Sequence, residues 1–310
     1  MILFVSGRCD IPAFYSSWFY QRLKEGFVDV RNPFNDHQIS RIILDEKHID
    51  AILFCTKNPI PMMERLSEIK NIPYVFHITF TPYKEDIEQI TNKKDIIQAI
   101  IHLSKQIGKE RVIVRYDPII LSKTYTLAYH KKAFEKLCSI LSEYVDKIII
   151  SFVDMYKNTK ENSYVMGLKE ISEVDMRAVG QVLGDIGKRY HIQLQTCAEE
   201  VDLSDFGITK GLCINRSDIE KLIGHPLVLD NKKGVRKSCN CLPTVDIGDY
   251  NCCAHSCLYC YANYDAKQIK ERMLTHDPNS SVLLGQLSER DHICIREDKK
   301  KVQNISLFEE

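Results

Sequence analysis

The stretch Lys147-Ile148-Ile149-Ile150-Ser151-Phe152-Val153 is mostly apolar and shows no alternation of apolar and polar residues. A continuous apolar run of this length is typical of a strand that is buried on both faces, as in a parallel sheet. Similar runs occur in the first two thirds of the chain, at residues 2–6, 51–56, 74–81, 111–116 and 191–196. The sequence therefore predicts six strands of one parallel sheet.

Helical patterns separate these runs. Apolar residues recur at helical spacing in residues 13–25, 62–70, 93–107, 129–144 and 172–190. Alternating strands and helices form right-handed parallel units, which close into a barrel or remain an open, doubly wound sheet. The number of units favours an α/β fold of the partial (β/α)6 TIM-like barrel type. In either geometry we expect a ligand site at the carboxyl ends of the strands.

Length and charge limit the organisation of the chain and its partners. Its 310 residues, 44% of them hydrophobic, fit one barrel with an extension and exclude global disorder. We expect a partial barrel over residues 1–225, a cysteine-rich extension over residues 226–285, and a solvated tail over residues 286–310 that contains Lys299-Lys300-Lys301. The 42 basic and 42 acidic residues balance, which favours a small-molecule substrate over nucleic acid. No apolar run spans a bilayer and no signal peptide is recognisable, so we expect a cytoplasmic protein without a membrane partner.

Charged side chains follow most of the predicted strands. The candidate substrate-binding or catalytic residues at these positions are Arg8, Lys57, Arg115, Asp117, Asp154 and Glu199. The cations suit a substrate carboxylate or phosphate, and Arg8 and Lys57 are also candidates for cofactor binding. The acids suit hydroxyl or amine groups, or proton transfer. The structural alternative makes Asp10 and Asp117 helix caps or turn residues and pairs Arg115 with a nearby carboxylate.

Twelve cysteines are many for a reducing compartment, where thiolates more often bind metals than form disulfides. Cys253, Cys257 and Cys260 form a Cys-x-x-x-Cys-x-x-Cys pattern. One loop with this spacing holds three irons of a [4Fe-4S] cluster and leaves the fourth iron without a protein thiolate. An open iron binds S-adenosylmethionine, whose reductive cleavage releases a 5′-deoxyadenosyl radical. His255, inside the loop, either closes the fourth iron or contacts the ligands from outside.

A second group of cysteines comprises Cys197, Cys213, Cys239 and Cys241. Four thiolates suit a fully ligated iron–sulfur cluster or a tetrahedral zinc ion. The remaining alternative is that they are separate buried thiols, because free cysteine packs well as a small apolar residue.

The stretch Cys257-Leu258-Tyr259-Cys260-Tyr261-Ala262-Asn263 resembles the radical S-adenosylmethionine signature, especially in the branch that includes spore photoproduct lyase. The resemblance implies that Tyr259 approaches the adenine of the cofactor. In that superfamily the cysteine loop follows the first strand of the barrel. Here it follows the sixth predicted strand, so the same position in space requires the loop to fold back over the barrel mouth.

Further stretches are Asp10-Ile-Pro-Ala-Phe-Tyr15, Arg31-Asn-Pro-Phe34, Thr56-Lys-Asn-Pro59, Arg115-Tyr-Asp-Pro-Ile119, Ser151-Phe-Val-Asp154, Thr196-Cys-Ala-Glu-Glu200 and Asp246-Ile-Gly248. Through them the chain resembles domain-of-unknown-function family 1848 over residues 1–285. The resemblance implies the barrel and a C-terminal cysteine cluster like that of radical S-adenosylmethionine proteins, and it supplies no substrate.

These features together predict a radical S-adenosylmethionine-like iron–sulfur enzyme that acts on a small anionic substrate. Its electron donor would be a flavodoxin or a ferredoxin. Two alternatives remain open. One is a non-radical electron-transfer or sensing protein, in which His255 or Cys252 supplies the fourth cluster ligand; the other is a structural zinc protein.

Overall fold

The computed structural model describes residues 1–90, 92–229 and 239–296. Eight parallel strands form the main sheet, and their bounds in chain order are β1 Ile2–Val5, β4 Ala51–Thr56, β5 Tyr74–Thr79, β6 Val112–Ile119, β7 Lys147–Phe152, β8 Gln193–Cys197, β9 Ile208–Gly211 and β10 Thr244–Asp246. Their order across the sheet is β10-β1-β4-β5-β6-β7-β8-β9. The α/β class and all six predicted strands are confirmed. A six-stranded barrel is not confirmed, because β9 and β10 add one strand at each end of the strand order. They were missed because strands this short carry no measurable periodicity.

The helices are α1 Ile11–Phe14, α2 Ser16–Glu25, α3 Ile60–Met63, α4 Lys93–Ile107, α5 Leu127–Leu141, α6 Lys157–Met166, α7 Glu173–Arg189, α8 Arg216–Ile223 and α9 Ala266–Met273. The helix predicted over residues 62–70 is wrong, since α3 is followed by a separate 3-10 turn, Leu66–Glu68. Met62, Leu66 and Ile69 are all buried, so the apolar spacing reported one buried face but not a continuous helix. No helix in these described ranges is long and apolar enough to cross a membrane.

The two faces of the main sheet pack against different elements. Alternate strand residues such as Phe54 and Val114 pack in one core with α2, α4, α5 and α7. The intervening residues, such as Leu53 and Ile113, form a second core with Ile219 of α8 and with Leu242. From β1 to β9 the strands lie in chain order without reversal. The long helices therefore cover one face, and α8 with the segment around Leu242 fills the other.

A second, three-stranded sheet was not predicted. It comprises β2 Phe27–Asn32, β3 Asn35–Ile43 and β11 His292–Ile295, with β3 between the other two. Only Gly26, at φ 81°, separates α2 from β2, so the helical and strand patterns run into one another. The start of the predicted solvated tail thus pairs with β3. Lys299-Lys300-Lys301 lies outside the described residues, as do residues 230–238 of the predicted cysteine-rich extension.

Candidate functional site

The cysteine loop, residues 251–263, begins at the carboxyl edge of the main sheet, the edge at which the parallel strands end. It follows β10, which pairs with β1 through Leu3 and Val245. The sixth predicted strand, β8, is therefore not the strand that directly precedes the loop: β9 and β10 intervene, and β10 delivers the loop beside the end of the first strand.

Asn263 closes the cysteine loop into a ring. Its Oδ1 accepts hydrogen bonds from the backbone N–H groups of Cys252 (2.8 Å) and Cys253 (2.9 Å). Its Nδ2 donates to the carbonyl of Arg8 at 2.8 Å and lies 3.7 Å from Cys260 Sγ. One amide side chain thus joins the two ends of the loop, fixes it to the residues after β1 and contacts a candidate ligand sulfur.

Further contacts hold the loop across the carboxyl edge. His255 Nε2 lies 2.8 Å from Asp10 Oδ2, on the β1 side. Leu258 N donates to the carbonyl of Ile87, which follows β5, at 3.0 Å. On the far side, Asn158 of α6 donates to the carbonyl of Cys260 at 2.7 Å. The loop therefore spans from the end of β1 to the helix that follows β7.

The three loop thiols are shielded to different degrees. Cys253 and Cys257 are each 8% exposed, and Cys260 is half-buried. Burial raises the pKa of the Cys257 thiol to about 12, although the nearby Lys57 ammonium opposes the rise. Burial also raises the pKa of Cys253, and the charges of Asp10, Cys257 and Cys260 add to it. Metal binding at this loop would therefore displace protons from neutral thiols.

Glu88, which the sequence did not single out, organises the polar network beneath the loop. Its carboxylate pairs with Lys57 (Nζ–Oε2 2.9 Å) and with Lys93 (Nζ–Oε1 2.7 Å). It also accepts a hydrogen bond from the hydroxyl of Tyr259 at 2.6 Å. Although burial opposes ionisation, the two lysines lower the pKa of Glu88 to about 2. Glu88 lies in the loop that follows the strand predicted over residues 74–81, and no candidate residue was taken from that loop. The expectation that ligand sites lie at the carboxyl ends of the strands points to this loop as well.

A second polar group lies farther along the same edge. Arg115 Nε donates to Asp117 Oδ2 at 2.9 Å, and Ser151 Oγ donates to Asp117 Oδ1. Glu199 accepts a hydrogen bond from the backbone N–H of Phe152 at 2.7 Å. Burial raises the pKa of Glu199 to about 7 despite that hydrogen bond, and the neighbouring acidic charges add to the rise. Glu199 is therefore able to gain or lose a proton near neutral pH.

The other predicted site residues are tied to nearby groups. Arg8 Nε pairs with Asp246 Oδ1 at 3.2 Å, and Asp154 Oδ2 accepts a hydrogen bond from Tyr156 at 3.1 Å. Asp10 caps α1 by accepting from Ala13 N at 3.0 Å, as the structural alternative proposed. Each of the three predicted cations thus carries a carboxylate partner.

Three of the four cysteines in the second predicted group come together. The sulfurs of Cys197, Cys213 and Cys241 all lie within 4.8 Å of one another, and those of Cys213 and Cys241 are 3.3 Å apart. Cys239 is not in this group, although it packs against the same core. Hydrogen bonds from Cys197 and Cys241, with the charge of Arg115, lower the pKa of Cys213 despite burial. The residues fit a metal ion.

A cavity of about 620 Å³ lies near the amino ends of the main-sheet strands, away from the cysteine loop. Its lining includes His77, Lys147, Asp218 and Cys213. Burial lowers the pKa of His77 to about 3, with the charge of Arg115 adding to the effect, so its imidazole is neutral. Through Cys213 the cavity reaches the second cysteine group.

Comparison with known proteins identifies the family but no activity. No curated protein matches the chain. One similar solved structure is that of a proposed alpha-L-fucosidase from Bacteroides thetaiotaomicron, with 14% identity, a TM-score of 0.24, and coverage of 59% of this chain and 74% of that one. A similarity that low carries no argument about function. The family model described as "Domain of unknown function (DUF1848)" matches residues 2–262, which include the main sheet and almost all of the cysteine loop. The chain belongs to this family, DUF1848.

Proposed function

We propose that this protein is a radical S-adenosylmethionine-type iron–sulfur enzyme, in which Cys253, Cys257 and Cys260 bind a [4Fe-4S] cluster. The observation that carries the proposal is the position of the cysteine loop across the carboxyl edge of a parallel sheet. Ligand sites of α/β folds lie at this edge, because the loops there vary without disturbing the core. The loop is joined to the residues after β1, after β5 and to α6.

The donor set supports a cluster rather than a single ion. A tetrahedral zinc ion with bonds of about 2.3 Å holds its thiolates about 3.8 Å apart. Among the described residues, the sulfurs of Cys197, Cys213 and Cys241 gather within 4.8 Å of one another, and the three loop cysteines form no such group. An iron–sulfur cluster ties its thiolates to different irons and accepts wider spacing.

One candidate for a fourth cluster ligand is engaged elsewhere, because Cys252 Sγ donates to the carbonyl of Asp249 at 3.1 Å. This contact favours an iron without a fourth cysteine ligand. His255 Nε2 contacts Asp10, a contact that metal-bound histidines also make through their second ring nitrogen, so His255 carries the alternative of a closed electron-transfer or sensing cluster. When bound, a cluster with an open iron supplies the electron that cleaves S-adenosylmethionine to a carbon-centred radical.

Residues of this chain would position the cofactor and the substrate around that chemistry. Lys57 and Tyr259 share Glu88, which holds the Tyr259 ring and the Lys57 ammonium 5.6 Å apart beneath the loop. A guanidinium has five N–H donors, and Arg115 uses Nε and Nη2 on Asp117. Its other donors suit a carboxylate or phosphate of a small substrate. Glu199 would hold or release a substrate proton, since its pKa is about 7.

Anaerobic turnover tests the proposal. The protein is reconstituted with iron and sulfide, reduced with dithionite and incubated with S-adenosylmethionine, and 5′-deoxyadenosine is measured by mass spectrometry. A flavodoxin or a ferredoxin then replaces dithionite as the donor. We expect wild-type protein to form 5′-deoxyadenosine and Cys257→Ala to lose both the loop-bound iron and the product.

Cys294→Ala is the matched control, because Cys294 is an exposed cysteine of β11 outside the site. It should keep the iron content and the product yield of the wild type. A reducible cluster that leaves S-adenosylmethionine intact would contradict the radical proposal and favour electron transfer. Equal yields from Cys257→Ala and wild type would remove the cysteine loop from the mechanism.

A further inference from the structure

The main sheet has a gap between its two edge strands, β9 and β10. They stand at opposite ends of the strand order, and no strand pairing joins them in the ranges that the structure describes. The chain nevertheless crosses the gap, because Leu242 N donates to the carbonyl of Ile214 at 2.9 Å. Both side chains pack in the second core, on the face of the sheet that α8 covers. The segment before β10 therefore lies against the segment after β9.

The second cysteine group spans the same gap. Cys197 is the last residue of β8, Cys213 follows β9 by two residues, and Cys241 precedes β10 by three. Their sulfurs lie within 4.8 Å of one another, although Cys197 and Cys241 are 44 residues apart in the chain. We propose that Cys197, Cys213 and Cys241 bind one zinc ion. The ion joins the end of β8 and the segment after β9 to the segment before β10, across the gap in the main sheet.

Zinc fits this donor set for geometric and chemical reasons. The 3.3 Å between the sulfurs of Cys213 and Cys241 is close to the separation of about 3.8 Å in tetrahedral zinc thiolate sites. Thiolates select zinc among the common divalent ions, and zinc does not undergo redox chemistry. Three thiolates and one divalent ion leave a negative charge, which the positive charge of the nearby Arg115 guanidinium offsets.

The cavity near the amino ends of the main-sheet strands supplies a route for the zinc ion. Cys213 lines this space of about 620 Å³ together with charged residues such as Lys147 and Asp218. An ion can therefore reach Cys213 from this cavity without passing the cysteine loop. A functional metal site requires such an entry path in addition to its ligands.

The zinc site is independent of the proposed cluster and has a different consequence. Its ion would hold the segment that leads into β10, and β10 carries the cysteine loop. Loss of zinc should therefore loosen both edge strands while Cys253, Cys257 and Cys260 keep their own ligand atoms. The zinc proposal and the cluster proposal can therefore be refuted independently of each other.

Metal analysis of the full chain tests the zinc site. Protein expressed with both metals available is purified anaerobically, and zinc and iron are counted. We expect one zinc per chain in wild type and in Cys257→Ala, and loss of that zinc in Cys213→Ser with the iron retained. Cys294→Ser, which changes an exposed thiol, should keep both metals. Zinc retained by Cys213→Ser, or iron at this site in place of zinc, would overturn the proposal.

Cobalt binding gives a second measurement that does not depend on how Cys213→Ser folds. Chelator-treated Cys257→Ala protein, whose cysteine loop lacks one ligand, is titrated with Co²⁺. We expect one equivalent to bind with thiolate charge-transfer absorption, and amide hydrogen exchange in residues 208–211 and 244–246 to slow on binding. An absence of thiolate absorption, or exchange in both strands that does not change, would refute the site.

Discussion

Replacing Glu88 by Gln tests the buried network beneath the cysteine loop. Glu88 is 1% exposed and bonds Lys57, Lys93, Thr81 and Tyr259. The substitution keeps the shape of the side chain but removes its charge. Two ammonium groups then share a buried site without the carboxylate as counter-ion. The new amide N–H₂ group is itself a donor, so it cannot accept the hydrogen bonds that the carboxylate oxygen accepted.

The size of the effect follows from the pKa of Glu88. A fall in the pKa from the usual 4.5 to about 2 corresponds to about 3 kcal/mol of folding free energy, since a tenfold change in an equilibrium constant is worth about 1.4 kcal/mol. Removing one partner of a buried ion pair costs a similar amount, about 3–5 kcal/mol. We therefore expect Glu88→Gln to lower the free energy of unfolding by about 3 kcal/mol at pH 7.

The effect should depend on pH with a definite sign. Because folding lowers the pKa of Glu88, its stabilising contribution is complete above about pH 4.5 and is lost as the pH falls toward 2. The difference between wild type and Glu88→Gln should therefore be largest near pH 7 and shrink between pH 4.5 and 2.

Urea unfolding of the metal-free proteins, followed by circular dichroism at several pH values, measures both effects. Glu68→Gln is the matched control, since Glu68 pairs with Arg65 at the surface and its loss should leave the unfolding midpoint almost unchanged. A Glu88→Gln variant within about 1 kcal/mol of wild type at pH 7, below the cost expected for a buried pair, would refute the reasoning. So would a difference that grows on acidification.

Two further changes address the loop and the interior acid. Asn263→Ala should lower the free energy of unfolding by about 2–4 kcal/mol and reduce iron loading, because two buried N–H groups lose their acceptor; iron content equal to wild type would show that another contact closes the loop. Glu199→Gln should raise the free energy of unfolding at pH 8 by roughly 2 kcal/mol. Folding raises the pKa of this carboxyl from 4.5 to about 7, so the ionised carboxylate destabilises the folded protein at pH 8, and partial exposure to solvent screens part of that destabilisation. That gain should vanish below pH 4.5, where the carboxyl is neutral in both states, and denaturation at pH 4 and pH 8 compares the two conditions.

Local patterns were sufficient to predict most of the main sheet. Continuous apolar runs such as residues 147–153 report burial on both faces, and helices between them force neighbouring strands to be parallel. Short elements escaped this reasoning: β10 has three residues, and its place at the edge depends on pairing with β1, more than 240 residues away in the chain. The separation of α2 and β2 by a single glycine concealed the second sheet in the same way.

The sequence alone determined the spacing of Cys253, Cys257 and Cys260, because all three ligands lie in one short loop whose chemistry is local. Only the tertiary structure decided what this loop meets. Glu88 gains its partners from the residue that follows β4, from α4 and from the loop itself. Cys197, Cys213 and Cys241 come together while Cys239 does not. Contacts between distant segments depend on how strands pair and faces pack, and no local periodicity encodes those distances.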